Sequence, residues 1–381
     1  AIYGLNGLTN MHMIGRLLKS PYFLLKTVGL NPFDPKRFGF RSIILMVAQI
    51  VMAVLILMGL KDFRSVTADV WVSCIMALQG VIKGSSAILQ KDAFYNIGEA
   101  LNCFLSRKFT SSEQKIEEFV HRMQYTYTIT LILALVAFII KPAVVKQHIL
   151  PSAWYDVCDI EATITCYLLC YGYQCYASVY CVIIITAFDC MFSGLLAYGY
   201  IEMEYIKRSL LKLNDNENCT GDNQEVLLNI GILVERHNQV LRYFRDIDKA
   251  YSGILMCQYA ATLMIICSAI FCLTTSGNQP PVDVIVTSVS YFLAGITEIF
   301  FLCLSGDIIS LQSESIVHAA YGCNWNHKPK LTKALCLMII RSQRACRITV
   351  GGLWILNLET FTSVMKATMT LLTFMKKMYG R

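Results

Sequence analysis

Apolar residues are gathered into blocks longer than the core elements of a soluble domain require, at 42–60, 70–90, 123–140, 162–201, 253–275, 284–305 and 348–375. Residues 42–60 and 162–188 contain no Asp, Glu, Lys or Arg at all. A run of roughly 18 or more apolar residues is enough to cross the hydrocarbon core of a bilayer, so the pattern predicts seven membrane-spanning helices. The fourth block is too long for that task. About forty residues at about 1.5 Å each make about 60 Å, twice a core of about 30 Å. Its far end is predicted to project into water at the cluster Glu202, Glu204, Lys207 and Arg208. Residues 307–321 and 331–340 keep a helical pattern among polar neighbours, so the water-exposed part is predicted to be helical as well.

Composition agrees with the pattern. The chain is 55% hydrophobic and 15% charged, against about 25% charged in an ordinary soluble domain, and its mean hydropathy is +0.51. A net charge of +7 does not mark a nucleic-acid surface here, because it is dispersed between spans. It works as a guide to sidedness instead. The segments before span one and between spans two and three, four and five, and six and seven carry 24 Lys and Arg, and the alternate segments carry 7. Basic residues accumulate on the cytosolic side, so the N-terminus is expected in the cytosol and the C-terminus outside. The punctuated first forty residues predict no signal peptide. Of the 16 cysteines, those at 166, 170, 175, 181, 267, 272 and 303 lie within apolar runs and there is no C-x-x-C, which reads as small hydrophobes rather than a disulfide scaffold. The sequon at Asn218 falls between spans four and five, on the expected cytosolic side, where no glycan is added.

The C-terminal third carries a more specific signal. ESIVHAAYGCNW at 314–325, MIIRSQRACRITVGG at 338–352 and LETFTSVMKATMTL at 358–371 resemble the C-terminal signature of insect odorant receptors. LPSAWYDV at 150–157, YGYQ at 171–174 and FDCMFSGL at 188–195 are similar to the outer loop and fourth helix of that family. The family's shared co-receptor has a long insertion between helices four and five, and the corresponding segment here, about 212–242, is short. Gustatory receptors carry T-Y and Q-F in the last helix, where this chain reads Thr370-Leu371-Leu372-Thr373-Phe374. The chain therefore resembles an odorant-specific subunit.

That resemblance implies an all-α membrane protein with seven spans, a cytosolic anchor of extended helices, and no cofactor. It implies the odorant-binding part of a nonselective cation channel of four subunits, assembled with a co-receptor in the plasma membrane of olfactory neuron dendrites, with lipids and a small volatile odorant as further partners. The expected division is 1–41 cytosolic, 42–201 spans one to four, 202–252 anchor, 253–305 spans five and six, 306–347 anchor helices, and 348–381 pore helix with an outer C-terminus. A volatile ligand calls for apolar and aromatic walls with few polar groups. In the outer parts of spans two, three, four and six these are expected from Trp71, Cys74, Phe138, Tyr171, Ser290, Tyr291 and Phe292. Alignment of 358–378 with the family's final helix puts Phe374 and Met378 at an apolar constriction, Leu371 one turn further in, and Lys377 where the co-receptor has a neutral amide.

Five charges lie inside spans: Lys83, Asp189, Glu298, Glu359 and Lys366. A charge at mid-bilayer costs about 2.5–3.5 kcal/mol on insertion scales, so each needs a partner, a cavity or a route to the interface. For the first three, snorkelling and an internal ion pair are both open. The last two stand seven residues apart on similar faces of the final helix. Other classes find little support. H-E-x-x-H, G-x-S-x-G and the P-loop are absent, and Glu314 with His318 lacks a third ligand for a metal, so no enzyme is expected. A G-protein-coupled receptor is the alternative, opposed by the inverted sidedness and by the lack of D-R-Y and N-P-x-x-Y. A transporter would show two similar halves with interrupted helices.

Overall fold

The computed structural model describes residues 15–33, 40–58, 68–145, 150–152, 163–215, 223–275, 280–322 and 329–379. The Asn218 sequon and most of 150–157 lie outside them. The elements in order are α1 (Arg16–Thr27), α2 (Phe40–Met58), α3 (Ala68–Leu89), α4 (Lys91–Leu105), α5 (Ser111–Val145), α6 (Ile164–Asp215), α7 (Asn223–Thr275), α8 (Val282–Tyr321), α9 (Pro329–Ser342), β1 (Thr349–Val350), β2 (Trp354–Ile355) and α10 (Leu358–Tyr379). The seven expected spans correspond to α2, α3, α5, α6, α7, α8 and α10. Among the described residues α3, α5, α6, α7 and α8 are long and apolar enough to cross a bilayer, and α2 offers the shorter apolar stretch Ser42–Met58. The more polar α10 does not meet that criterion.

The long fourth block becomes α6, whose 52 residues reach about 78 Å at about 1.5 Å per residue. It is the axis of the fold, with 83% of its apolar window buried against 28% for α5. Its two faces feed two cores. One face, with Ile184, Phe188, Phe192 and Leu195, joins a large core shared with α1, α4, α7, α8 and α9. The other, with Val182, Ile185 and Cys190, joins a smaller core with Val72 of α3, Tyr127 and Leu131 of α5, and Tyr291 and Phe301 of α8. The overrun extends further than block lengths predict, since α7 has 53 residues and α8 has 40.

Two of the three described helices beyond the seven spans, α1 and α4, arise from short amphipathic patterns. In α4 the buried residues Ala93, Phe94, Ile97, Gly98, Leu101 and Phe104 follow the 3.6 period. In α1, Leu17, Leu18 and Leu25 are buried around Pro21, and the Leu17 N–H donates to Tyr198 Oη of α6 at 3.2 Å.

The seventh block requires a correction. A helix is expected from 348, but Thr349 pairs with Ile355 and Val350 with Trp354 in an antiparallel hairpin, and α10 begins only at Leu358. The turn contains Gly351 at φ 64° and Gly352 at φ 71°, the left-handed region that glycine enters without steric penalty. The hairpin is held on α7, where Asp248 accepts the Thr349 N–H at 2.6 Å and its hydroxyl at 2.8 Å. Asn357 then caps α10 by accepting the Thr360 N–H at 2.8 Å.

At the Glu202 end an ion network ties α5, α6 and α7 to the turn that follows α4. Arg107 donates to Glu202 at 3.2 Å and to Glu113 at 2.9 Å, its guanidinium lies 4.3 Å from the Tyr205 ring centroid, and Arg236 bonds the second Glu202 oxygen at 2.5 Å.

Candidate ligand-binding site

An apolar cavity of about 70 Å³ lies between α3, α5, α6 and α8. Its walls include Val72 and Met76, then Leu131, Ala134 and Phe138, then Cys181 and Ile185, then Tyr291, with single contributions from Met52 of α2 and Ile265 of α7. The alternation of bulky and small side chains comes from each helix turning one stripe inward. The volume is smaller than a typical ligand site of about 300–1,000 Å³. A ligand of several carbons therefore has to displace side chains, and the unbranched Met52 and Met76 are the most adaptable of the lining.

Of the expected ligand-contacting residues, the structure brings Phe138 and Tyr291 into this cavity. The others sit elsewhere. Trp71 is exposed, Cys74 packs with Met52, Ile56, Val70 and Ala177, and Phe292 packs on the edge of the smaller core. The Ser290 hydroxyl donates to its own helix at Val286 O. Tyr171 stacks on Tyr167, with ring centroids 5.9 Å apart, and donates to Ile139 O at 2.9 Å. Tyr173, on the same helix, likewise donates to backbone, at Ala48 O 2.6 Å away. Cys166, expected to be a small hydrophobe, is instead disulfide-bonded.

One end of the cavity is polar. Glu298 is in its wall, and behind it lies a buried polar network drawn from five helices. Lys83 Nζ of α3 donates to Asp189 Oδ1 of α6 at 2.8 Å, and with Lys83 only 1% exposed the ion pair, not snorkelling, is what satisfies this lysine. Tyr127 Oη of α5 lies 2.7 Å from Asp189 Oδ2 and 3.2 Å from Glu298 Oε1. From α7, Gln258 Nε2 donates to Glu298 Oε1, and Thr262 Oγ1 lies 2.7 Å from Glu298 Oε2. Gly295, one turn before Glu298, permits this approach, because a Cβ there would stand 2.8 Å from Ile266 Cγ1 and 3.1 Å from Thr262 Cγ2. Tyr127, Gln258 and Thr262 were not singled out by the sequence, though Gln258 and Thr262 are polar residues four apart in an apolar run, which places them on one helix face.

The final helix presents a second arrangement. Glu359, Ser363, Lys366, Thr370, Thr373 and Lys377 recur at steps of three and four, and all are exposed. Ser363, Thr370 and Thr373 each donate to the carbonyl four residues back, which leaves their oxygen lone pairs facing outward. Phe374, 60% exposed, lies beside this stripe; Leu371 is half-buried, and the side chain of Met378 lies outside the described residues.

Comparison with known proteins places this geometry in context. The family model described as 7tm Odorant receptor matches residues 66–369. Odorant receptor 10 of Aedes albopictus is 23% identical over 221 residues, covering 55% of this chain and 58% of that relative. The odorant receptor coreceptor of Aedes aegypti is 25% identical over 165 residues, covering 42% of this chain and 33% of its own length. The chain thus matches little more than half the length of the first of these relatives and a third of the second. The solved structure of the insect olfactory receptor OR5 from Machilis hrabei in complex with eugenol superposes with a TM-score of 0.79 at 14% identity, covering 95% of this chain and 97% of that one, which establishes a common fold.

Proposed function

This chain belongs to the 7tm Odorant receptor family, and from that premise we propose that it is the odorant-binding subunit of a ligand-gated, nonselective cation channel assembled with a co-receptor. It is a multi-pass membrane protein and not an enzyme. The observation that carries the ligand half of the reading is the largely apolar cavity with Phe138 and Tyr291 in its wall, the kind of site that takes a small volatile molecule by burial rather than by charge. A relative of the same fold in complex with eugenol supports a ligand of that size class.

The channel half rests on α10. Its polar stripe, with Thr370 and Thr373 and the flanking Phe374 all exposed in the single chain, is poorly suited to lipid and well suited to a water-filled path shared with other subunits. Outward hydroxyl oxygens suit cations, and Phe374 with Leu371 and Met378 supplies an apolar constriction that gates by dewetting. The N-terminus is cytosolic in this reading, the ends of α6, α7 and α8 beyond the membrane form the anchor between subunits, and the division 1–41, 42–201, 202–252, 253–305, 306–347 and 348–381 describes the functional parts. The membrane in question is the dendritic plasma membrane of olfactory neurons.

Whole-cell recording against an odorant panel, with and without the co-receptor, tests the proposal. Odorant-gated cation current is expected only when both chains are expressed. Robust current from this chain alone overturns the obligate partner. Responses that require a G protein, or a glycosidase-sensitive glycan on Asn218, favour the alternative seven-helix G-protein-coupled receptor and overturn the assigned sidedness.

A further inference from the structure

With Glu298 as a carboxylate, the network behind it has fewer hydrogens than its contacts need. Tyr127 has one hydroxyl hydrogen and two carboxylate neighbours, and Asp189 at 2.7 Å is nearer than Glu298 at 3.2 Å. Thr262 has one hydroxyl hydrogen and two acceptors, Gln258 O at 2.9 Å and Glu298 Oε2 at 2.7 Å. Lys83 is engaged with Asp189. The Gln258 amide donates to Glu298, while its Oε1 is buried without a partner. The charges are equally one-sided, since Lys83 balances Asp189 and no second cation reaches Glu298 among the described ion pairs. A buried acceptor left short of donors is unfavourable, and Glu298 forms part of the wall of a largely apolar cavity.

Resting on the reading of that cavity as the odorant site, we propose that Glu298 is its specificity-determining residue, selecting small apolar ligands whose head group donates a hydrogen bond, an O–H or N–H, over ligands of equal size that only accept. Such a head supplies the missing hydrogen at Glu298, and an amine also brings the positive charge the network lacks. A carbonyl or ether oxygen meets oxygen lone pairs there and gains nothing. The remaining polar lining includes hydroxyls, Ser73, Ser178 and Tyr291, which donate and accept alike and so do not discriminate. Glu298 is held in place for this role by two α7 side chains and one α5 side chain, so it does not turn away from a ligand.

The test is a dose-response series on the full receptor with co-receptor, using pentanol and pentylamine as donors and pentanal and methyl butyl ether as acceptor-only ligands, in wild type, Glu298→Gln and Thr262→Val. Wild type is expected to respond to the donors at concentrations about tenfold or more below the others, the size of one hydrogen bond to a charged group. Glu298→Gln keeps the shape and brings its own amide hydrogens, so the donors lose about tenfold while the acceptor-only ligands stay the same or improve. Thr262→Val removes one donor from Glu298 and should widen the preference for donors. Equal potency of all four ligands in wild type, or a parallel shift of all four in both variants, overturns the proposal. Ala134→Trp, which fills the cavity without touching the network, separates this from the underlying reading. If responses survive Ala134→Trp in protein that reaches the cell surface, the cavity is not the odorant site, and both proposals fall; if they are lost there while Glu298→Gln spares the donor preference, only the role of Glu298 falls.

Discussion

Lys83 and Asp189 stand 106 residues apart in the chain and 2.8 Å apart in space, in an ion pair sealed between α3 and α6. Removing one partner of such a pair leaves a bare charge in a low-dielectric setting and typically costs about 3–5 kcal/mol, whereas replacing both by apolar residues of similar volume is far milder. Lys83→Met alone should therefore reduce the amount of folded receptor at the cell surface and lower the melting temperature of the purified chain. Lys83→Met with Asp189→Leu should recover most of the loss. A double variant that melts no higher than the single would show that the pair is not the stabilising unit.

Tyr171 and Tyr291 are expected to separate cleanly. Tyr291 lines the cavity, so Tyr291→Ala removes ligand-facing area and should raise half-maximal concentrations about tenfold or more, with altered rank order. Tyr171→Phe removes one bond to Ile139 O, worth about 0.5–1.5 kcal/mol of stability, and should leave rank order intact. Dose-response curves on the two variants decide this; identical changes in rank order would place Tyr171 at the ligand after all.

Arg107 joins two carboxylates, the Ile201 carbonyl at 3.4 Å and the Tyr205 ring face at once. A lysine has neither the planar fork nor the reach for this, so Arg107→Lys should recover less than half of the stability lost in Arg107→Ala, read as melting temperature. The same site sets an acid limit. Burial would raise the Glu113 carboxyl, but Arg107 and the Thr110 N–H outweigh that and hold it below its ordinary value. A lowered folded pKa means that its stabilisation is full above the ordinary glutamate range, about 4.3, and is lost as pH falls through the lower folded value. Arg107→Ala should reduce this acid dependence.

Lys377 is exposed on the polar stripe of α10. At about 6 Å in water-like surroundings one positive charge raises the energy of a passing monovalent cation by about 0.7 kcal/mol, about threefold in occupancy. Lys377→Gln should raise single-channel conductance and Lys377→Glu should raise it further, most clearly at low ionic strength, with odorant potency unchanged. Equal conductance for all three side chains at low salt would remove Lys377 from the ion path.

Local rules reach a definite distance into this molecule. Seven apolar blocks specify seven spans because a bilayer demands long, internally hydrogen-bonded segments, and the excess length of the fourth block alone was enough to foresee that α6, at 52 residues, is longer than a bilayer core requires. The repeats at 93, 94, 97, 98, 101 and 104 that bury one face of α4 were equally legible, but fell outside a search for long apolar runs. The hairpin at 349–355 was not, since Val350, Trp354 and Ile355 read as span until the two glycines are seen to take positive φ and Asp248 to hold the strand.

At the candidate site, residues in the spans that line the cavity could be picked from sequence, yet only Phe138 and Tyr291 of the seven reach it. The phase of each helix about its own axis is fixed by packing against neighbours, and no residue count supplies it. The charges Lys83, Asp189 and Glu298 announced themselves by their cost in an apolar setting. That Tyr127 bridges two of them, and that Glu298 then faces an apolar space short of hydrogens, depends on contacts across 62 and 171 residues of chain. Sequence determined which groups could not be left alone in the membrane; tertiary structure alone decided who their partners are, because hydrogen bonds are satisfied in space and not in order along the chain.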